Sequence, residues 1–184
     1  LAVLGKFTGR FFLTASVLAV SIASPSASWS AGLDVTTPSA TQVITSPYDY
    51  VTLKSTIGDG NNTVGVNINS ATAQITGDVT NEGTISATGT GLLVVSGAGV
   101  GGNVVNDGTI TVAGSANSYG VAVQELGSAV FNNTGILAVT DDGDKTAFAS
   151  GIFLSANATG DPTGIASFTN SGTLTVTASA AGTN

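Results

Sequence analysis

From about residue 64 onward, apolar and polar positions alternate within a nine-residue phrase that occurs four times. The copies are "VTNEGTISA" (79–87), "VVNDGTITV" (104–112), "FNNTGILAV" (131–139) and "FTNSGTLTV" (168–176). Aligned on the shared Asn, they place Val79, Val104, Phe131 and Phe168 two residues before it, and Ile85, Ile110, Leu137 and Leu174 four residues after it. Two positions further stand Ala87, Val112, Val139 and Val176. Apolar residues at every second position are the signature of a strand with one buried face. Between the apolar positions sit Asn81-Glu82-Gly83, Asn106-Asp107-Gly108, Asn133-Thr134-Gly135 and Asn170-Ser171-Gly172. Asn and Gly tolerate positive φ, so each triplet predicts a tight corner and each copy reads strand, corner, strand.

A second phrase interleaves with the first: Gly65-Val66-Asn67-Ile68, Gly91-Leu92-Leu93-Val94, Gly120-Val121-Ala122-Val123 and Gly151-Ile152-Phe153-Leu154. Its glycines are 26, 29 and 31 residues apart, and the asparagines of the first phrase are 25, 27 and 37 apart. Three short strands recurring at such a period predict an all-β fold, a right-handed parallel β-helix (β-solenoid) with three short strands per coil. One coil cannot satisfy its own strand amides or cover its apolar face; stacking equivalent strands does both. The apolar positions then become interior columns, and Asn81, Asn106, Asn133 and Asn170 stack as an amide ladder. An antiparallel sandwich also spaces short strands evenly, but it needs neither identical corners nor a fixed offset between apolar columns.

The first thirty residues follow another pattern. Lys6 and Arg10 precede "FFLTASVLAVSIA", and "SPSASWSA" follows. Cations, an apolar run and small residues, in that order, predict a secretory signal over residues 1–28, with cleavage near Ser28 and possible anywhere in 23–31. The apolar run has 13 residues, and crossing a bilayer takes about 20. Segment 29–63 contains Pro38, Pro47 and the strand-like "YVTLKSTI" and is expected to cap the unpaired edge of the first coil, leaving 64–184 for the repeats. Leu1 in place of Met and the ending "ASAAGTN" suggest a chain cut from something longer.

Composition removes several chemistries. The 184 residues include no Cys and no His, which excludes a disulfide framework, a thiolate site and an imidazole base. The basic residues are Lys6, Arg10, Lys54 and Lys145 against eleven acids, a net charge of −7. Past the signal, eleven acids face two lysines, a net of −9, so nucleic acid is not an expected partner. With 42% hydrophobic residues the chain can still bury a core.

A secretory signal followed by a Cys-free, Gly/Thr/Asn-rich chain bearing "NEGTI" and "NDGTITV" resembles the start of a bacterial autotransporter passenger, the β-helical part of type V secretion proteins. The resemblance implies export through the periplasm of a Gram-negative bacterium, passage through a C-terminal outer-membrane barrel and display at the cell surface or release. It implies the role of a structural stalk or adhesin, non-enzymatic, whose partners are host or matrix surface ligands or other cells. No roughly 10-residue amphipathic strands with aromatic girdles occur here, so either a barrel lies beyond Asn184 or this is a related secreted solenoid that uses a separate pore. The rival reading is a secreted carbohydrate-active enzyme on the same scaffold with its active site outside this stretch.

Connections that change length are where a solenoid carries binding function. Segments 140–151 and 155–167 are the longest and form the candidate presenting loops. Asp141, Asp142 and Asp144 of "DDGD" could bind calcium, but they lack the spacing and closing acid of a known loop, and a polar loop tip is the plainer reading. "GDGNNTV" (58–64) resembles one copy of a calcium nonapeptide with Asn62 in place of the acid; a single copy reads better as a turn ahead of the first coil. Glu82 and Asp107 occupy matching corners, where a glycosidase pair is conceivable, but stacked acids at solvent-facing corners read as solubility and register devices. The sequence therefore assigns no catalytic, cofactor-binding or metal residues and no cofactor.

Overall fold

The computed structural model describes residues 31–179 apart from 70, 96, 116, 126–127, 144–147 and 157–163. The expected signal segment lies outside the described residues, as does Asp144. All described regular structure is strand. The first coil contributes β1 (Leu33–Val35) and β2 (Gln42–Ile44). The second holds β3 (Val51–Leu53), β4 (Thr56–Ile57), β5 (Val64–Ile68) and β6 (Gln74–Ile75). The third holds β7 (Val79–Asn81), β8 (Thr84–Ala87), β9 (Thr90–Val94) and β10 (Gly99–Val100). Then follow β11 (Val104–Asn106), β12 (Thr109–Gly114) and β13 (Ser118–Glu125), and after them β14 (Ala129–Asn133), β15 (Ile136–Asp141) and β16 (Ala149–Ala156). The last rungs are β17 (Ala166–Asn170) and β18 (Thr173–Ala178).

Every pairing is parallel, and each strand pairs with its equivalent one coil away. Three long ladders result: β1-β3-β7-β11-β14-β17 (sheet A), β4-β8-β12-β15-β18 (sheet B) and β2-β5-β9-β13-β16 (sheet C). A short fourth ladder, β6-β10 (sheet D), is one that the repeats did not announce. The protein is thus a parallel β-solenoid, as the spacing of the phrases predicts. In sheet A, Val51, Val79, Val104, Phe131 and Phe168 are consecutive register partners. In sheet B the succession is Ile57, Ile85, Ile110, Leu137 and Leu174. The inward members of these rows are buried up to coil five and, with Val66, Leu92 and Val121 of sheet C, form one core. Phe131 and Phe168 stack with centroids 5.6 Å apart and planes 8° from parallel.

The asparagine ladder is present. Asn81 Nδ2 donates to Asn106 Oδ1, Asn106 Nδ2 to Asn133 Oδ1 and Asn133 Nδ2 to Asn170 Oδ1, each at 2.7 Å. The second amide proton goes to a backbone carbonyl one coil along, at Thr109, Ile136 and Thr173. Each Asn carbonyl in turn accepts two N–H groups from the next corner: Asp107 and Gly108 on Asn81 O, Thr134 and Gly135 on Asn106 O, Ser171 and Gly172 on Asn133 O.

Two expectations need correction. The corner glycines are not there for positive φ: among the described residues only Gly58, Gly60, Gly97 and Asn117 have it. They are glycines because corners stack backbone on backbone. A Cβ on Gly108 would lie 2.1 Å from the Gly83 carbonyl oxygen, and one on Gly135 would lie 2.1 Å from that of Gly108. Segment 29–63 is also not a cap over the first coil. Leu33↔Val51 and Val51↔Val79 stand in the same register as the later coils, so among the described residues the solenoid already includes β1. The phrase is hidden there because Leu53 occupies the Asn position and Ser55 precedes the Gly83 site on the stack. "GDGNNTV" accordingly joins β4 to β5 inside the second coil rather than standing ahead of the first.

Candidate functional site

The two candidate loops are shorter than their sequence intervals, because the added residues lengthen strands as well as connections. β12 and β15 run two residues past the ends of their phrases, and β13 and β16 begin before their Gly phrases. The B-to-C connection is left as 88–89, then 115–117, then 142–148. The C-to-A connection after β16 is 157–165, most of it outside the described residues.

The longest B-to-C connection delivers Phe148 to the outer face of sheet C. There the Ser118 N–H donates to the Phe148 carbonyl at 2.8 Å, which seats Phe148 beside Tyr119. Tyr119 packs against Phe148 at 5.8 Å between centroids and edge-on against Phe153 at 6.1 Å. Phe153 stands in register with Ala122 and Leu93, on the face opposite the inward Val121 and Val123. Ala122 is buried although it faces outward, which places the aromatic layer above it. Phe148 is 50% and Phe153 42% exposed, so the trio is both packed and open to solvent. A hollow of about 170 Å³ lies among Thr90, Leu93, Tyr119, Ala122, Gln124 and Phe153. Rigid aromatic area with a few polar neighbours suits contact with a partner, because it binds by burial at little side-chain entropy cost. No repeat pattern marked these residues. The available signal was Phe153, where an apolar residue stands at a position that alternation assigns to the polar face.

A second concavity follows from sheet D. After β10 no further strand joins this ladder among the described residues; in the next coil β13 ends at Glu125 and β14 begins at Ala129, with 126–127 outside them. A groove of about 820 Å³ is left between β10 and the level of Ser128 and Val130. Its floor is glycine-rich: a Cβ on Gly101 would lie 2.6 Å from the Thr76 carbonyl, and one on Gly102 would lie 2.2 Å from Asp78 Oδ1. Asp78 Oδ1 accepts the Asn103 N–H at 2.7 Å, so this carboxylate is already used in holding the turn.

The charged candidates separate. Glu82 and Asp107 do stack at successive corners, both exposed. The Thr134 hydroxyl of the next corner donates to Asp107 Oδ1, and Lys54 lies at the matching corner one coil before Glu82. Lys54 Nζ is 3.0 Å from Asp34 Oδ2; that hydrogen bond and its charge, helped by Glu82, hold the ammonium above its ordinary range. The column is an exposed strip that runs from one cation, Lys54, through two acids, Glu82 and Asp107, to the neutral Thr134 and Ser171. In "GDGNNTV", Asp59 Oδ1 accepts the Asn61 N–H at 2.9 Å and Asn62 Nδ2 at 3.0 Å. The Asn61 N–H, first among these donors, keeps the Asp59 carboxyl below the usual carboxylate range, and the motif is a turn closed on itself. In "DDGD", Asp142 is exposed, whereas Asp141 closes β15 facing inward and is buried. The reading of Asp141 as part of a polar loop tip is therefore corrected.

Comparison with protein-family models, with curated proteins and with solved structures finds no match for this chain.

Proposed function

We propose that this chain is the β-helical passenger portion of a secreted or surface-displayed bacterial protein, a stalk or adhesin that attaches through side chains held on the flank of the solenoid. The observation that carries the reading is the aromatic trio Tyr119, Phe148 and Phe153, packed on the outer face of sheet C with Phe148 and Phe153 exposed, beside a connection that changes length between coils. The corner never changes length and holds the stack; the B-to-C connection does change, and at 142–148 it supplies Phe148. A rigid ladder with an open aromatic face is a way to present contact area at a distance from an anchoring point. The autotransporter resemblance supports the same reading through the signal-like first 28 residues and the repeated corner phrase.

Two measurements test it. The full reading frame is expressed in a Gram-negative host, and intact cells are shaved with protease; surface display requires the chain to be cut while a periplasmic marker survives. The purified chain is then applied to plates coated with collagen, fibronectin or mucin. Binding to at least one is expected, with Phe148→Ala combined with Phe153→Ala weakening it at least about tenfold, as loss of two central aromatic anchors does. A chain protected from protease inside the cell defeats surface display. Binding to none of the three coatings, or binding that survives both substitutions, removes the aromatic flank from the proposal.

A further inference from the structure

The hollow on the outer face of sheet C has a floor and a rim of different chemistry. In β13 the inward Val121 and Val123 are fully buried, so Ala122 and Gln124 point outward. In β9 the buried Leu92 and Val94 turn Leu93 outward in the same way. Register sets Leu93, Ala122 and Phe153 in one outward row and pairs Thr90 with Tyr119 beside it. Leu93 and Ala122 therefore make an apolar floor. Tyr119 and Phe153, with ring centroids 6.1 Å apart and planes at 72°, stand on it as two aromatic walls set nearly at right angles. The Thr90 hydroxyl, the Tyr119 hydroxyl and the Gln124 amide border the same space. Among the described residues none of these three polar side chains has a hydrogen-bond partner, so all three are available to a ligand. The hollow encloses about 170 Å³, room for one small ring rather than for a folded segment.

Floor, walls and rim together select a ligand. It has to lay an apolar C–H face on the rings and floor, because the electron-rich face of an aromatic ring attracts polarised hydrogens. At its edge it has to carry groups that both donate and accept, since hydroxyls do both and the Gln amide supplies one of each. A pyranose ring is divided in this way, with C–H bonds on one face and hydroxyls around the rim. Charge narrows the class further. Past the expected signal eleven acids face two lysines, so the chain as a whole repels an acidic ligand, and the six residues described around the hollow are uncharged. We infer that the hollow binds one uncharged sugar ring of a glycan, stacked on Tyr119 and Phe153 and hydrogen-bonded through Thr90, Tyr119 and Gln124. This rests on the proposed attachment role and names the chemistry that the aromatic flank recognises. Phe148 packs on Tyr119 outside the hollow, so it braces that wall and presents a further exposed ring to the next sugar of the same glycan.

The test is saturation-transfer NMR on the full chain, with the methyl glycosides of glucose, galactose, mannose and N-acetylglucosamine as probes and methyl glucuronide as the acidic control. At least one of the four neutral probes is expected to bind with a Kd of about 1–10 mM, the range open to a ligand of that size. Saturation should be strongest on the C–H protons of one sugar face. The glucuronide is expected to bind at least about threefold more weakly than glucose at low salt. Phe153→Ala removes a wall and is expected to weaken binding at least about tenfold. Gln124→Ala leaves both rings in place, removes only rim hydrogen bonds and is expected to weaken it about fivefold. Should Phe153→Ala fail to fold, Gln124→Ala decides alone. The inference is overturned if no neutral probe binds, if binding is unchanged in Gln124→Ala, or if the glucuronide binds as well as glucose. Its failure is separable from that of the attachment role: a chain that holds a mucin coating through its rings equally well after enzymatic removal of the mucin glycans keeps the role and loses the sugar.

Discussion

Asn106 sits between two other amides, accepting from Asn81 and donating to Asn133, and its Nδ2 also reaches the Ile136 carbonyl at 3.0 Å. Asn81 stands at the foot of the ladder, over Leu53, and its Oδ1 is a buried acceptor without a donor. Replacing either Asn by Leu therefore has unequal consequences. Asn106→Leu breaks two ladder bonds and strands Asn133 Oδ1. Asn81→Leu strands Asn106 Oδ1 but removes an acceptor that was already stranded. With each net hydrogen bond contributing about 1 kcal/mol and each orphaned group costing about 1–3 kcal/mol, Asn106→Leu should destabilise by roughly 2 kcal/mol more than Asn81→Leu. Urea unfolding of the two variants measures the difference. Equal losses would mean that the ladder adds nothing beyond the volume it fills. The ladder itself was legible in the sequence, since four asparagines at one position of a repeated phrase have to stack if the strands do. The orphan at its foot was not, because the rung beneath is a leucine that no repeat identified.

At the scale of the element, the corner shows where reading residue types goes astray. Glycine after Asn suggested a backbone with positive φ, the usual reason for such a pair in a turn. The actual constraint comes from the coil before: Gly83, Gly108 and Gly135 each leave room for the carbonyl of the preceding corner, a neighbour some 25 residues away in sequence. The two causes are separable by substitution. Gly97 has φ +98° and nothing within 4 Å of an added Cβ, so its requirement is conformational and Asn, which tolerates that region, should substitute better than Ala. At Gly108 the obstacle is the Cβ itself, so Asn should be no better than Ala, and both should cost about 2–3 kcal/mol as overpacked sites do. Denaturant midpoints for the four variants check this. An Asn at 108 that restores most of the stability would return the corner to a φ requirement. Length had the same character. The long intervals at 140–151 and 155–167 were visible, but how they divide between extended strand and loop depends on pairing, which spacing does not contain.

Across the whole molecule, contacts run from coil to neighbouring coil, so local stability should follow how completely each rung is sandwiched. Sheets A, B and C were legible because β7 to β18 repeat their inward residues in fixed register; β3 and β4 were legible as strand-like sequence, but β1 to β4 were not recognised as rungs because they carry the alternation without the Asn–Gly corner. Sheet D was missed because β6 and β10 are two residues each, too short to set up a period. The same architecture ranks the rungs. In β11 and β12, Val104, Ile110 and Val112 are buried between coils on both sides, and β14 and β15 cover them. In β17 and β18, Phe168, Leu174 and Val176 hold the same columns but are 40%, 37% and 43% exposed. Opening β17–β18 uncovers one interface, whereas opening β11–β12 uncovers two. Hydrogen exchange followed by mass spectrometry on the 184-residue chain should therefore show amides of 173–178 exchanging at least about a hundredfold faster than those of 109–112, a gap of about 2.7 kcal/mol in opening free energy. Denaturant far below the unfolding midpoint should widen the loss from β18 toward β15 before β12 responds. Uniform exchange along all rungs would instead make the solenoid one cooperative unit, and the nearest-neighbour account of its stability would fail.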